Sequence, residues 1–296
     1  MILRSLLFVP ADSQRKQARA LDAGADALIL DLEDSVAPSA KLAARQQAVA
    51  FLQARPADAR WLPIVRVNPL SSGLLLDDLT AIIGAPLSAI LLPKADGPAD
   101  VAVVSHYLTA LEARAGVALG STKLIVLATE TARALATIGG YAHAGLDRLI
   151  GLTWGAEDLP ADLGALAKTD ADGSLSFTYR LARSLCLAAA RAAGVAPIET
   201  VFTNVRDADG LTAWATAARR EGFSGQLAIH PDQVPIINAA FTPSAEAVAQ
   251  AQAVLAAFAA APGAGVVSLE GRMLDAPHRR QAERTLALAA QLADWA

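Results

Sequence analysis

Eight short apolar runs punctuate the chain, each followed by a stretch whose hydrophobic positions recur at helical spacing. They are SLLFVP, ALILDLE, LPIVRVN, AILLPK, KLIVLATE, RLIGLTWGAED, ETVFTNV and GQLAIHP. Most are nearly continuous in apolar residues rather than alternating, the pattern of strands buried on both faces of a parallel sheet. Between them lie amphipathic segments such as SAKLAARQQAVAFLQA and ADVAVVSHYLTALEARAG. Ser39 is placed to cap the first and Gly116 to end the second. Eight strand–helix units predict an α/β fold, a (β/α)8 TIM barrel. The competing fold, an open doubly wound sheet, usually carries a glycine-rich phosphate loop after its first strand, and VPADSQRKQ has none.

The chain continues past the eighth run. TPSAEAVAQAQAVLAAFAAA reads as a helix, PGAGVVSLEGRMLDAP as a glycine-rich turn, a short strand and a tight loop, and HRRQAERTLALAAQLADWA as a final helix with a basic start. The expected organisation is a barrel over residues 1–241 and a C-terminal helical appendage over 242–296. The appendage would pack on its own barrel or on a neighbouring subunit.

Barrel active sites lie at the C-terminal ends of the strands, so the polar residue closing each run is informative. The runs end in turn in Asp12; in Asp31, Glu33 and Asp34; in Arg66 and Asn68; in Lys94; in Glu130; in Glu157 and Asp158; in Asn204; and in His230. Three carboxylates at the end of the second run repel one another unless paired or metal-bound. Arg66 and Lys94 offset part of that charge, and the remaining acids point to a divalent cation. Glu130 and Asp158, on consecutive strands, form the sharpest pair for a hard cation such as Mg2+, which takes one or two protein carboxylates and fills its other positions with water and substrate oxygens. The alternative is local: Glu130 capping the helix that begins at Thr131, and Asp158 opening a turn before Pro160. Glu157 is the rival ligand, because neighbours on a strand point to opposite faces.

Arg66 sits inside an apolar strand and needs an anionic partner. Its fork suits a substrate carboxylate or a developing oxyanion, or a structural ion pair with Glu33. Lys94 is either a Schiff-base lysine or a counter-charge for the acids, and a metal makes the second reading preferable. His230 either lines the mouth or orders the loop before Pro231, the second being favoured. Asp275, by local chemistry alone, is an acid in a turn before proline.

Composition narrows the picture. The 296 residues are 54% hydrophobic, enough for one large core, and a formal net charge of −4 gives no reason to expect nucleic acid as a partner. The single Cys186 excludes an intrachain disulfide and reads as a small core residue. The apolar run in MILRSLLFVPAD is too short for a signal peptide or a membrane span, so a cytoplasmic protein without a membrane partner is expected.

Taken together, RSLLFVPADSQRK, GADALILDLEDSVAPSAK, VRVNPL, LLPK, ETARAL, GAEDLPADLG, RDADGL, GFSGQLAIHPDQ with INAAFTPS, and GRMLDAP resemble, in order, the citrate lyase beta-subunit-like group of the HpcH/HpaI aldolase superfamily. Two departures stand out: PAD where PGD is usual, and ATETARAL where IETARG is usual. The second places a polar Thr129 and a bulkier Ala134 near the expected metal site, which bears on substrate shape more than on metal binding. The resemblance implies a barrel, commonly a homotrimer, with Mg2+ held by Glu130 and Asp158. Glu33 would bond a metal-bound water or substrate, Arg66 would contact the acyl group, and Asp275 would be a base delivered across a subunit interface. The implied activity is carbon–carbon cleavage of 3-hydroxy-3-carboxyacyl-CoA thioesters, with the backbone amides of Gly155 and Ala156 holding the substrate carboxylate. Alternatives are a malyl-CoA thioesterase on the same site, a lyase for free hydroxy-oxo acids, and a lyase beta subunit active only with an acyl-carrier partner.

Overall fold

The structure, a computed structural model, describes residues 2–295. Strands β1 (Ser5–Pro10), β2 (Ala27–Asp31), β3 (Leu62–Arg66), β4 (Ala89–Leu92), β5 (Lys123–Leu127), β6 (Leu149–Thr153), β7 (Ala196–Glu199) and β8 (Gly225–Ala228) form a closed parallel barrel in chain order. Closure comes from β8 pairing onto β1, with Ser5 opposite Gln226. A Cβ at Gly225 would lie 1.7 Å from the Leu3 carbonyl oxygen, so only glycine allows this approach. Alternate strand residues, among them Leu6, Ile29, Ile64, Leu91, Ile125 and Leu227, point inward and fill the barrel as one apolar cluster.

Helices α1 (Gln14–Leu21), α2 (Lys41–Gln53), α3 (Leu75–Ile82), α4 (Pro98–Ala115), α5 (Ala132–Thr137), α6 (Leu159–Leu163), α7 (Phe177–Ala192), α8 (Ala208–Glu221) and α9 (Val234–Phe241) follow the strands, with both α6 and α7 after β6. Gly116 ends α4 in the left-handed region as expected. Ser39 does not cap α2. It lies within a 3-10 turn, Pro38–Ala40, that Pro38 opens and that leads straight into the helix. Cys186 is fully buried in α7.

Strand seven differs from the sequence expectation. It covers Ala196–Glu199, not the ETVFTNV run, so its polar end is Glu199; Asn204 is exposed in the following loop. Pro197 pairs within the strand opposite Leu152, a residue that argues against a central strand on sequence grounds.

A buried ion pair ties the N-terminal ends of two strands to α4. Arg148, preceding β6, donates to both Glu112 oxygens at 2.8 and 2.6 Å, and the amides of Thr122 and Gly120 add bonds of 2.8 Å each. Burial would raise the Glu112 pKa, but these donors outweigh it and lower it from 4.5 to about 2. Its stabilising contribution is therefore complete above pH 4.5 and is lost as pH falls toward 2. At about 1.4 kcal/mol per unit, Glu112→Gln should cost about 3 kcal/mol at pH 7. Urea unfolding at several pH values checks this: the gap to wild type should close in acid, and a gap independent of pH would refute it.

The chain falls into two compact units, Leu3–Asn238 and the segment from Ala239 onward. In the second, α10 (Ala245–Ala260) is capped by Ser244, whose hydroxyl accepts the Ala247 N–H. It packs with α11 (Ala276–Trp295) around Ala251, Val254, Val267, Leu274 and Ala282. The expected single strand is a hairpin, β9 (Val266–Leu269) with β10 (Arg272–Asp275), joined by Glu270 and Gly271, both at positive φ. Such a two-residue turn matches the twist of the paired strands. Among the described residues no helix is long and apolar enough to cross a membrane.

Candidate active site

Arg66 and Asp31 are register partners on β3 and β2. Each lies two residues beyond an inward-pointing isoleucine, Ile64 and Ile29, so both side chains enter the barrel mouth. The guanidinium grips Asp31 in a fork, Nε to Oδ1 and Nη2 to Oδ2 at 2.7 Å each. Its Nη1 reaches Glu33 Oε2 at 2.8 Å, and its plane lies 4.8 Å above the Phe8 ring. Burial would raise the Asp31 pKa, but the hydrogen bonds and charge of Arg66 hold it below the usual carboxylate range.

Lys94 follows β4 in a left-handed conformation, φ +50°, costly for a residue with a Cβ. That conformation serves two contacts. The Lys94 backbone N–H donates to Glu130 Oε2 at 2.6 Å. Its ammonium lies 2.5 Å from Glu33, 3.1 Å from Asp34 and 3.3 Å from Asp158. Burial opposes the charge, but these acids raise the Lys94 pKa above its ordinary value. The cation is shared among carboxylates, so the structure supports the counter-charge reading over the imine. Much of the crowd of acids at the end of β2 is thereby offset, Asp31 by Arg66 and the more exposed Asp34 by Lys94, while burial still raises the Glu33 pKa against its pairing with both cations.

Glu130 is almost wholly buried. Burial first, then the nearby charges of Asp158 and Glu33, push its pKa up to about 8 against the Lys94 contacts. It does not cap the next helix; Thr131 does, accepting the Ala134 N–H. Its side chain packs on Gly155, where a Cβ would stand 2.3 Å from Glu130 Cγ. Asp158 stands at the N-cap position of α6, but its side chain makes no capping bond and faces Lys94 instead. Glu157, the rival, pairs with Lys168. The two acids are not strand neighbours, because β6 ends at Thr153 and both lie in the turn after it.

These residues border a cavity of about 610 Å³ that Arg66, Glu130, Gly155, Ala156 and Asp158 line on the inner side. Val9, Pro10 and Ile229 give it apolar walls, and Arg15, Lys16 and Arg19 from α1 give it a basic flank. A second hollow of about 670 Å³ reaches Glu130 and Asp158 past Asp96, Asp100 and Asp162. His230 lines the first cavity and also orders its loop, accepting the Asp232 N–H while Gln233 accepts from the His230 amide. The Gly155 N–H points to Thr129 Oγ1 at 3.3 Å, so of the two amides expected to hold a carboxylate, Gly155 is already engaged. In the C-terminal unit Asp275 ends β10 and its carboxylate lies 2.6 Å from His278 Nδ1.

Among the described residues no three His, Cys, Asp or Glu side chains are grouped as a metal site. The donor set that does converge is two hard carboxylates, Glu130 and Asp158, whose charge is incompletely offset. It fits Mg2+, which needs few protein ligands, and not zinc, which takes three or four, mostly Cys and His.

Residues 4–231 match the HpcH/HpaI aldolase/citrate lyase family. The chain belongs to that family. It is 35% identical to the citrate lyase subunit beta of Haemophilus influenzae over 93% of this chain and 92% of the relative. It is 33% identical to a (3S)-malyl-CoA thioesterase of Cereibacter sphaeroides over 98% of this chain and 95% of that one. Among solved structures, protein CitE of Mycobacterium tuberculosis in complex with magnesium, acetoacetate and coenzyme A is similar with a TM-score of 0.77 and 35% identity, covering 97% of each chain.

The pairing of Arg66 with Asp31 went unread in the sequence, although the period of two from Ile29 and Ile64 carries it. So did the basic flank, whose signal is the QRKQAR stretch of α1. No local signal distinguishes Glu157 from Asp158; what separates them is that Glu157 pairs with Lys168, eleven residues on.

Proposed function

We propose that the protein is a Mg2+-dependent carbon–carbon lyase. Its substrates would be 3-hydroxy-3-carboxyacyl-CoA thioesters of the citramalyl, malyl or citryl type, cleaved to acetyl-CoA and a 2-oxo acid. The observation that carries this reading is the convergence of a forked arginine and two under-compensated carboxylates on one cavity with a basic flank. Magnesium in the similar CitE complex supports the metal, and coenzyme A there supports the thioester.

Glu130 and Asp158 would hold the cation, with Glu33 behind them fixed by Arg66 and Lys94. When bound, Mg2+ lowers the pKa of the substrate hydroxyl and polarises the forming keto group. A base takes the hydroxyl proton, the bond between the hydroxyl-bearing carbon and the thioester α-carbon breaks, and its electron pair passes into a thioester enolate. Arg66 stabilises that enolate where its charge develops, and protonation at the α-carbon releases acetyl-CoA. The Ala156 amide borders the cavity and would hold the substrate carboxylate, with Gly155 contributing only by leaving Thr129. Arg15, Lys16 and Arg19 supply charge for the phosphates of coenzyme A, and the apolar wall suits its thioester arm. Asp275, on the family resemblance, would be the base, supplied by a neighbour in a homotrimer.

The second reading is hydrolysis of malyl-CoA on the same site, which the similarity to the Cereibacter thioesterase favours. Incubating the purified protein with Mg2+ and a panel of hydroxyacyl-CoAs decides between them. A lyase gives acetyl-CoA and a 2-oxo acid in equal amounts, whereas a thioesterase gives free coenzyme A and the intact hydroxy acid. Turnover seen only after adding an acyl-carrier partner would replace both readings with an obligate beta subunit. On the same panel Asp275→Asn should lower turnover by about 10²- to 10⁴-fold if it is the base, and unchanged turnover would remove it from the mechanism.

A further inference from the structure

The segment between β6 and α6 carries Gly155, which walls Glu130, and Asp158. Two side chains outside it pin it, Glu199 at the end of β7 and Thr129 just past the end of β5. On the β7 side, Thr153 is the register partner of Ile198, so Trp154 stands beside Glu199. Ile198 points into the barrel, which turns Glu199 outward toward the helices. There its fully buried carboxylate accepts the Trp154 indole N–H. The same carboxylate takes the Thr200 N–H at 2.9 Å and Arg183 Nε at 2.7 Å. Arg183 is itself held by Glu221 and lies 4.8 Å above the Phe223 ring. The indole is therefore tied to a carboxylate that cannot shift without disturbing α7 and β7. On the β5 side, buried Thr129 accepts the Gly155 N–H. Neither Glu199 nor Thr129 lines the cavity.

We infer that Trp154 with Glu199, and Thr129 on the opposite side, are positioning residues that clamp the β6–α6 segment and so set the separation of Glu130 and Asp158. A cation bound by only two protein carboxylates depends on that separation, because no further protein ligand corrects it. A buried carboxylate that accepts an indole N–H does nothing for substrate directly. Its effect reaches the site through one backbone segment, in which Gly155 lacks a Cβ because Glu130 occupies the space.

The inference rests on the metal reading above, and the experiment separates the two. Mg2+ affinity is measured by calorimetry on Trp154→Phe, which keeps an aromatic ring and removes the N–H, and on Thr129→Val, which is nearly isosteric and removes the acceptor. Glu130→Gln reports on the metal reading. Leu52→Ala, a cavity variant in the core beneath α2, controls for loss of stability. Trp154→Phe should weaken Mg2+ about tenfold and Thr129→Val about threefold. Leu52→Ala should melt earlier yet bind Mg2+ as wild type does. If Glu130→Gln loses Mg2+ while Trp154→Phe and Thr129→Val keep wild-type affinity, the clamp is wrong and the ligand assignment stands. If Glu130→Gln binds as wild type, the ligand assignment and the clamp fall together. Should Trp154→Phe not fold, Thr129→Val alone decides, with unchanged affinity overturning the inference.

Discussion

Glu130→Gln and Asp158→Asn should each abolish most Mg2+ binding and lower turnover on the order of 10³-fold while leaving the barrel intact. Each change is nearly isosteric and deletes one anionic oxygen from a donor set of two. The structure adds an expectation that separates a ligand from a structural acid. Glu130 is buried beside the charges of Asp158 and Glu33, and its pKa is pushed up to about 8. Raising that carboxyl from its ordinary 4.5 to about 8 on folding therefore disfavours the folded metal-free protein above pH 4.5, where the unfolded chain would carry it ionised. In the presence of a chelator, Glu130→Gln should melt at a higher temperature than wild type, and Mg2+ should raise the melting temperature of wild type but not of the variant. Glu157→Gln should behave as wild type, since Glu157 is turned to Lys168. Wild-type affinity in both Glu130→Gln and Asp158→Asn would sink the assignment. Loss of binding in Glu157→Gln with Asp158→Asn unaffected would make Glu157 the ligand in place of Asp158.

Seven of the eight strands are legible because a parallel barrel strand is covered on both faces and so is written as an unbroken apolar run. The eighth case shows where that signal fails. Around β7 the chain reads VAPIETVFTNV, and the β-branched residues after Glu199 look more strand-like than Ala196 and Pro197, which form it. Tertiary pairing with β6 decides the outcome, and sequence propensity is a weak prior against it. The error had a functional cost. It made Asn204 the polar end and concealed Glu199, whose partner Trp154 lies forty-five residues away. The hairpin at Glu270 and Gly271 was missed for a different reason, because the turn needs positive φ at a glutamate that gives no warning of it. Within the site, residues on strand ends were readable by alternation, as with Arg66. Residues on loops were readable only by type: Asp158 and Glu157 differ in nothing local. Asp275 belongs to a unit whose fold says nothing of its chemistry, and it entered through resemblance alone.

Arg66→Lys keeps the positive charge and removes the fork, so its effects divide between chemistry and stability. Nε and Nη2 are both committed to Asp31, and Nη1 to Glu33. A lysine ammonium reaches one of those oxygens well, leaving buried Asp31 partly unsatisfied, at about 1–3 kcal/mol. A lower melting temperature is therefore expected whatever Arg66 does in catalysis, and it cannot serve as the test. The decisive quantity is kcat measured well below that melting temperature. If Arg66 bears on the enolate, the contact strengthens as charge develops, and its loss falls mainly on kcat, by about 10²- to 10³-fold, with KM and Mg2+ affinity nearly unchanged. A rise in KM at constant kcat would place Arg66 on the ground-state acyl group instead. A variant that melts earlier but keeps both constants would make Arg66 the structural partner of Asp31 and Glu33, and the developing negative charge would then need another donor from the residues that line the cavity.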